Sequence, residues 1–204
     1  EAEGDENRAA EARERADVAL SAALSLAPTD FQLHHDSGLY LMDAGDHASA
    51  RRSFQRAASL YPLCPRPHLA LAVLLGASGR HRAALRHYET ARAAVSRHGG
   101  GQDRNIVLDA TVGAAHCLLA LRERRHDSAS RTRAAAPAIR SERLEELAAG
   151  LRSALANADS IENDSTSEAQ EMLLQIEAAL HREITVGVAH APQGDELSCT
   201  EGTD

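Results

Sequence analysis

The sequence predicts an all-α fold in which helical hairpins stack into a superhelix. The main observation is a period of 34 residues in the placement of small and large apolar side chains. It relates Ala16, Ala50 and Ala84, then Leu20, Phe54 and Tyr88, and finally Ala23, Ala57 and Ala91. Fixed offsets at such a period are typical of helical-repeat arrays. A single repeat cannot bury its apolar face, so we expect neighbouring repeats to stack and leave an extended concave surface.

Each period contains two helical segments separated by a glycine turn. In residues 31–64, apolar and small residues recur at helical spacing until Gly45, and a second run ends at Pro62. Residues 65–98 repeat this order around Gly79. We expect Gly38 to lie where the two helices cross, and Phe54 to fill the gap to the next hairpin.

This pattern resembles the tetratricopeptide repeat (TPR) family. Two departures from the family pattern are histidines, at positions 34 and 68, where an aromatic residue is preferred. The resemblance covers about residues 9–98 and implies that the first helix of each hairpin lines a concave, protein-binding groove. The residues that carry it are Gly38, Gly45, Ala50, Phe54, Ala57, Pro62, Ala72, Gly79, Ala84, Tyr88 and Ala91.

The rest of the chain follows the period less closely. We expect a repeat array over residues 1–140, with a half repeat at 9–30 and a degenerate repeat at 106–140 whose turn lies near 123–127. Residues 141–184 read as two capping helices. In the first, leucines recur at helical spacing, and in the second, Ser165 and Glu168 have capping-box spacing. Residues 185–204 lack any period and are rich in polar residues and glycine, so we expect a disordered tail.

Charge is distributed unevenly along the 204 residues, whose net charge is −8. Residues 1–30 carry −5, residues 31–140 carry +8 and residues 141–204 carry −11. The basic middle block favours either an acidic partner or neutralisation by the acidic C-terminal segment of the same chain. Binding of nucleic acid is disfavoured, because aromatic residues that would stack on bases make up only 2% of the chain.

The sequence contains no pattern that predicts an enzyme. The glycines at 99–101 precede a helical segment, but no Lys-Ser or Lys-Thr follows them, as a phosphate-binding loop requires. The eleven histidines do not form two paired sets of ligands, so we expect neither a metal nor another cofactor. We also expect no membrane span. An odd number of widely spaced cysteines suggests a reducing compartment, and hence an intracellular, cytoplasmic protein.

The resemblance implies that the function is non-catalytic. The chain would be a scaffold or adaptor that binds a peptide or helix in its groove, alone or as a subunit of a larger assembly. If the fourth repeat keeps the register of the others, the groove would continue through Ala110, Thr111, Ala114 and Cys117. The candidate partner-binding residues on the first helices are Gln32, His35, Leu39, Met42, Arg66, Leu69 and Val73.

Two alternatives to this interpretation remain open. In the first, the chain's own C-terminal helix fills the groove and leaves no room for a partner. In the second, a convex row of arginines, at Arg52, Arg86 and Arg131, binds RNA or another polyanion through its phosphates.

Overall fold

The computed structural model describes residues 2–98, 104–129, 141–156 and 164–189. These residues form helices and no strand, which confirms the all-α expectation. Consecutive helices pack against one another along the chain, and α4 also contacts α6. The helices are α1 (Ala2–Leu26), α2 (Phe31–Asp43), α3 (His47–Leu60), α4 (Pro65–Ala77), α5 (His81–His98), α6 (Arg104–Ala129), α7 (Ser141–Ala156) and α8 (Asp164–Ala189).

Two turns with the same geometry close the hairpins α2–α3 and α4–α5. Gly45 and Gly79 have φ angles of 82° and 72°, a left-handed conformation that glycine adopts without steric cost. After each glycine, the next amide donates to a carbonyl five residues earlier, from Asp46 to Leu41 at 2.9 Å and from Arg80 to Leu75 at 2.8 Å. The period of 34 residues therefore extends to the backbone hydrogen bonds.

The two histidines that depart from the family pattern make the same bond in successive hairpins. Nε2 of His34 lies 3.0 Å from the carbonyl oxygen of Pro28, and Nε2 of His68 lies 3.2 Å from that of Pro62. Each imidazole thus connects the first turn of its helix to the proline that ends the preceding helical run. This shared role gives a physical reason for histidine at both positions.

Aromatic rings lie directly on glycines where helices cross. The ring of Phe54 covers Gly38 of its own hairpin, and it also clusters with apolar residues of α4, as expected for a residue that fills the gap to the next hairpin. The ring of Tyr88 lies on Gly113 of α6. Ala50 and Ala84 are fully buried beside these rings. Small residues therefore allow close helix packing in both hairpins.

The turn expected near residues 123–127 is wrong, because α6 continues as one helix to Ala129. This segment contains neither glycine nor proline, so nothing in it stops a helix. Two arginines in this part of α6 also donate hydrogen bonds to neighbouring elements. Arg122 donates to the carbonyl oxygen of Ala179 in α8, and Arg124 donates to that of Gly79 in the α4–α5 turn. The rest of the expected fourth repeat, residues 130–140, lies outside the described residues.

Helix α7 packs against α6 and α8. Its leucine stripe is buried at Leu144, Leu147 and Leu151, as the sequence predicts. Arg143 pairs with Glu89 of α5, and Gly150 lies beside Arg92 of α5. Helix α7 therefore bridges α5 and α6.

Helix α8 completes the core with Met172 and Ile176, both almost fully buried. It begins at Asp164, so Ser165 lies within its first turn and not before it, as a capping box would require. The helix extends to Ala189, past the expected boundary at residue 184. The expected disordered tail, from residue 190 onward, lies outside the described residues.

Helix α1 packs less extensively than the others. It ends at Leu26, just before Pro28, as expected for the half repeat, but it begins before residue 9. The hydroxyl of Tyr40 in α2 donates to the carbonyl oxygen of Arg13 at 3.0 Å. Val18 and Leu26 are 66% and 86% exposed, so part of the apolar surface of α1 faces solvent.

Residues Asn105–Arg124 of α6 have the length and mean hydropathy, 1.2, of a membrane-spanning helix. Such a segment was not expected from the sequence. Of this stretch, 44% is buried inside the protein, against the other helices of the core. A core helix meets the same two criteria, so the finding is only weak evidence for a membrane span.

Replacing Gly113 with alanine should lower the free energy of unfolding by about 1–3 kcal/mol, because its Cβ would overlap the Tyr88 ring. Gly76→Ala is the matched control. There the nearest atom is Sγ of Cys117 at 3.9 Å, so alanine should leave stability unchanged or raise it by up to about 1 kcal/mol. Urea unfolding of both variants measures this difference. Equal stability of Gly113→Ala and the parent would contradict the close packing.

Candidate functional site

An open groove of about 550 Å³ lies between α4, α6 and the start of α8. Its two long walls are stripes of small and apolar residues at helical spacing. From α4 and α6 these are Leu69, Val73, Ala77, Val112, Gly113 and Ala120. Such a surface, with few polar groups, fits apolar side chains of a bound segment.

The rim of the groove is acidic. Asp109 and Glu168 line it, and Oε1 of Glu168 lies 3.6 Å from Nε2 of His116, so this pair connects α8 to α6. The pKa of the Tyr88 hydroxyl is raised to about 12, mainly by burial and to a smaller extent by electrostatic repulsion from Cys117, Glu168 and Asp109. The groove therefore disfavours additional negative charge.

Cys117 contributes a thiol to the groove wall. Its side chain is largely buried, and burial raises its pKa to about 11. The thiol is therefore protonated at neutral pH and acts as a small apolar group, because the nucleophilic form is the thiolate. This argues against covalent catalysis at Cys117.

The predicted partner-binding residues separate into two groups. Leu69 and Val73 line the groove, and Val73 is 47% exposed. The others lie outside its walls. Met42 packs against the Phe54 cluster, the His35 ring lies 5.6 Å from the Phe54 ring, and the remaining side chains are exposed on α2 and α4: Gln32, Leu39 and Arg66.

The expected continuation of the groove along α6 is wrong at three of its four positions. Ala110, Thr111 and Ala114 are almost fully buried, and only Cys117 lines the groove. The reason is the orientation of α6, which places Gly113 against Tyr88 and Thr111 beside Gly150 of α7. Five other residues of α6 line the groove and were not predicted from the sequence. Their spacing of three and four residues places them on one face of the helix: Asp109, Val112, Gly113, His116 and Ala120.

The C-terminal helix borders the groove and does not fill it. Glu168, in the first turns of α8, lies at the rim, whereas Met172 and Ile176 point into the core. Within the described residues, the alternative in which this helix occupies the whole groove is therefore wrong.

His68 and His87 form a pair that the sequence did not predict. They are 19 residues apart, on α4 and α5, and their Nδ1 atoms lie 3.3 Å from each other with the rings stacked. Because Nε2 of His68 faces the Pro62 carbonyl, a neutral His68 carries its proton there, and its Nδ1 accepts a hydrogen bond from His87. In the described part of the chain, no three of His, Cys, Asp and Glu come together as metal ligands.

The chain matches no model of a known protein family, and no curated protein matches it. The function is therefore inferred from the groove, the charges and the repeated local geometry of this chain.

Acid should destabilise the protein through the histidine pair. Burial lowers the pKa of His68 and of His87 below the usual 6.5, and the charges of His68 and Arg86 lower that of His87 further. As pH falls below 6.5, the unfolded chain binds protons before the folded chain does, so stability should fall until the folded pKa values are passed. Urea midpoints between about pH 8 and pH 5 measure this loss.

The variant His68→Gln with His87→Gln should lose less stability over the same pH range than the parent. His47→Gln, at an exposed position at the start of α3, is the control and should retain the parent's pH dependence. If the double variant and the parent have the same pH dependence, the pair does not stay neutral in the folded state.

Proposed function

We propose that this chain is a non-catalytic scaffold or adaptor of the TPR type, which binds a helical or extended protein segment in the groove between α4, α6 and α8. The observation that carries this proposal is the groove itself. It is open, it has two parallel apolar walls, and only its rim is charged. An enzyme site would need convergent polar groups with perturbed pKa values, whereas the perturbed groups here, Tyr88, Cys117 and His81, are held in their neutral forms.

The repeated local geometry supports the assignment to a TPR-like superhelix. Equivalent turns occur at Gly45 and Gly79, and equivalent histidine–proline bonds occur at His34 and His68. Helix α4 contacts α6 as well as α5, which agrees with neighbouring helical units stacking on one another.

The shape of the groove supports a partner with small or branched apolar anchors. Leu69 and Val73 stand one helical turn apart on one wall, and Val112 and His116 stand one turn apart on the other. A helix laid between them would present residues at a spacing of three and four. The acidic rim favours a basic residue beside these anchors, where it would approach Asp109 and Glu168.

We place this function in the cytoplasm, on the basis of the odd number of cysteines. The partner is a protein in this proposal, bound singly or within a larger assembly, and the groove needs no cofactor or metal.

Leu69→Asp combined with Val73→Asp should abolish partner binding and leave the helical content unchanged. Both side chains are at least partly accessible in the groove wall, so two carboxylates would add unpaired negative charge to a surface that is already acidic. Affinity capture from an extract of the source cells, with quantitative mass spectrometry, identifies the proteins whose recovery depends on these two residues. Circular dichroism checks the fold.

Leu174→Asp is the matched control, because Leu174 is 66% exposed on α8 and lies outside the groove. It should retain every partner that the parent protein captures. If the groove variant retains the same partners, or if the control loses them equally, the groove is not the binding surface.

A further inference from the structure

A second cleft lies on the opposite face of α5 from Tyr88. It has a volume of about 460 Å³ and is formed by one stripe of α5 and the loop between α3 and α4. Pro62, Leu63, Ala93 and Ala94 form its apolar surface, with Arg86 and Arg97 toward its two ends. Leu63 is 40% exposed, so an apolar side chain is accessible in this cleft.

The cleft is strongly basic. Its one carboxylate, Glu89, pairs with Arg143 of α7, so its charge is compensated. Arg86 and Arg97 are exposed and have no acidic partner among the described residues. Around them, residues 47–98 contain nine arginines and a single acidic residue, Glu89, in a chain whose net charge is −8.

We propose that this cleft binds an acidic segment of a partner protein. Two carboxylates of that segment pair with Arg86 and Arg97, and an apolar side chain between them packs on Leu63 and Ala93. Charge complementarity selects this occupant, because arginine binds carboxylates with two parallel hydrogen bonds. The site is separate from the groove, since it uses the other face of α5, and it does not depend on the function proposed for the groove.

The spacing of the two arginines defines the ligand further. They are eleven residues apart in one helix, which places their backbones about 16 Å apart. A helical ligand matches this distance with carboxylates eleven residues apart, and an extended ligand matches it with carboxylates about five residues apart. In both kinds of ligand, the apolar side chain that packs on Leu63 and Ala93 lies near the midpoint between the two carboxylates.

The surface of the cleft favours a protein over RNA. Single-stranded nucleic acids are held by aromatic rings that stack on bases, and no aromatic side chain lines this cleft. A bound phosphate backbone would also leave the apolar side chains of the cleft without an apolar contact. Leu63 and Ala93 instead match an apolar side chain of a peptide.

A direct test uses a fluorescent helical peptide of about 15 residues, with two glutamates spaced like Arg86 and Arg97 and a leucine midway. A peptide of the same composition with the leucine next to one end serves as the reference ligand. Fluorescence anisotropy should show that the full-length chain binds the first peptide at least about tenfold more tightly than the second.

Arg86→Glu combined with Arg97→Glu should weaken peptide binding by at least about tenfold, because both carboxylates would then meet like charges. Arg82→Glu with Arg80→Glu is the matched control. It makes the same change in net charge at exposed positions outside the cleft, and it should change binding by less than about twofold. Arg86→Gln with Arg97→Gln repeats the test if charge reversal disturbs the fold, which circular dichroism detects.

Three outcomes would overturn the proposal. The peptides could bind equally weakly, or the control variant could lose as much affinity as the cleft variant. Single-stranded RNA could also bind more tightly than the peptide, with a steep dependence on salt and an equal loss in both variants. That result would assign the whole arginine surface to polyanion binding.

Discussion

The packing of an aromatic ring on a glycine is the contact on which much of this structure depends. The chain has only five Phe, Tyr and Trp residues, and two of them cover glycines on neighbouring helices, Phe54 on Gly38 and Tyr88 on Gly113. Because glycine has no Cβ, the ring occupies the space that a Cβ would take, and the two helices can approach closely. The buried alanines beside the rings follow the same requirement, because a larger side chain would force the helices apart.

This packing also gives α5 two different faces. Tyr88 points toward α6, into the main core and the edge of the apolar groove. Two residues before it, Arg86 points the other way, into the basic cleft. The same helix thus separates an acidic-rimmed apolar groove from a positively charged surface. The two partners proposed above would therefore carry opposite charges and contact different residues.

The parts of the fold that follow the 34-residue period could be predicted from the sequence. Glycine turns at Gly45 and Gly79, helix ends near Pro28 and Pro62, and the leucine stripe of α7 all depend on local signals. The continuation of α6 agrees with the absence of glycine and proline from residues 123–127, whereas the hydrogen bonds from Arg122 and Arg124 to distant carbonyls could not be predicted. Pattern analysis contains no information about such contacts.

The candidate site was predictable only in part for the same reason. Leu69 and Val73 belong to the first helix of a regular hairpin, so the resemblance to the TPR family implied that they line the groove, and both do. The opposite wall depends on the rotation of α6, which Tyr88 and α7 determine together through Gly113 and Thr111. The His68–His87 pair likewise joins two helices, and its spacing of 19 residues matches no motif.

The central claim, that the groove between α4, α6 and α8 receives a protein segment, can be tested by site-specific photo-crosslinking. A photoreactive residue at Val73, in the groove wall, is compared with one at Leu174, which is more exposed but outside the groove. The account predicts that Val73 yields a defined crosslinked partner, through one short segment of that partner, and that Leu174 does not. Crosslinking of the same partner from both positions, or only from Leu174, would contradict it.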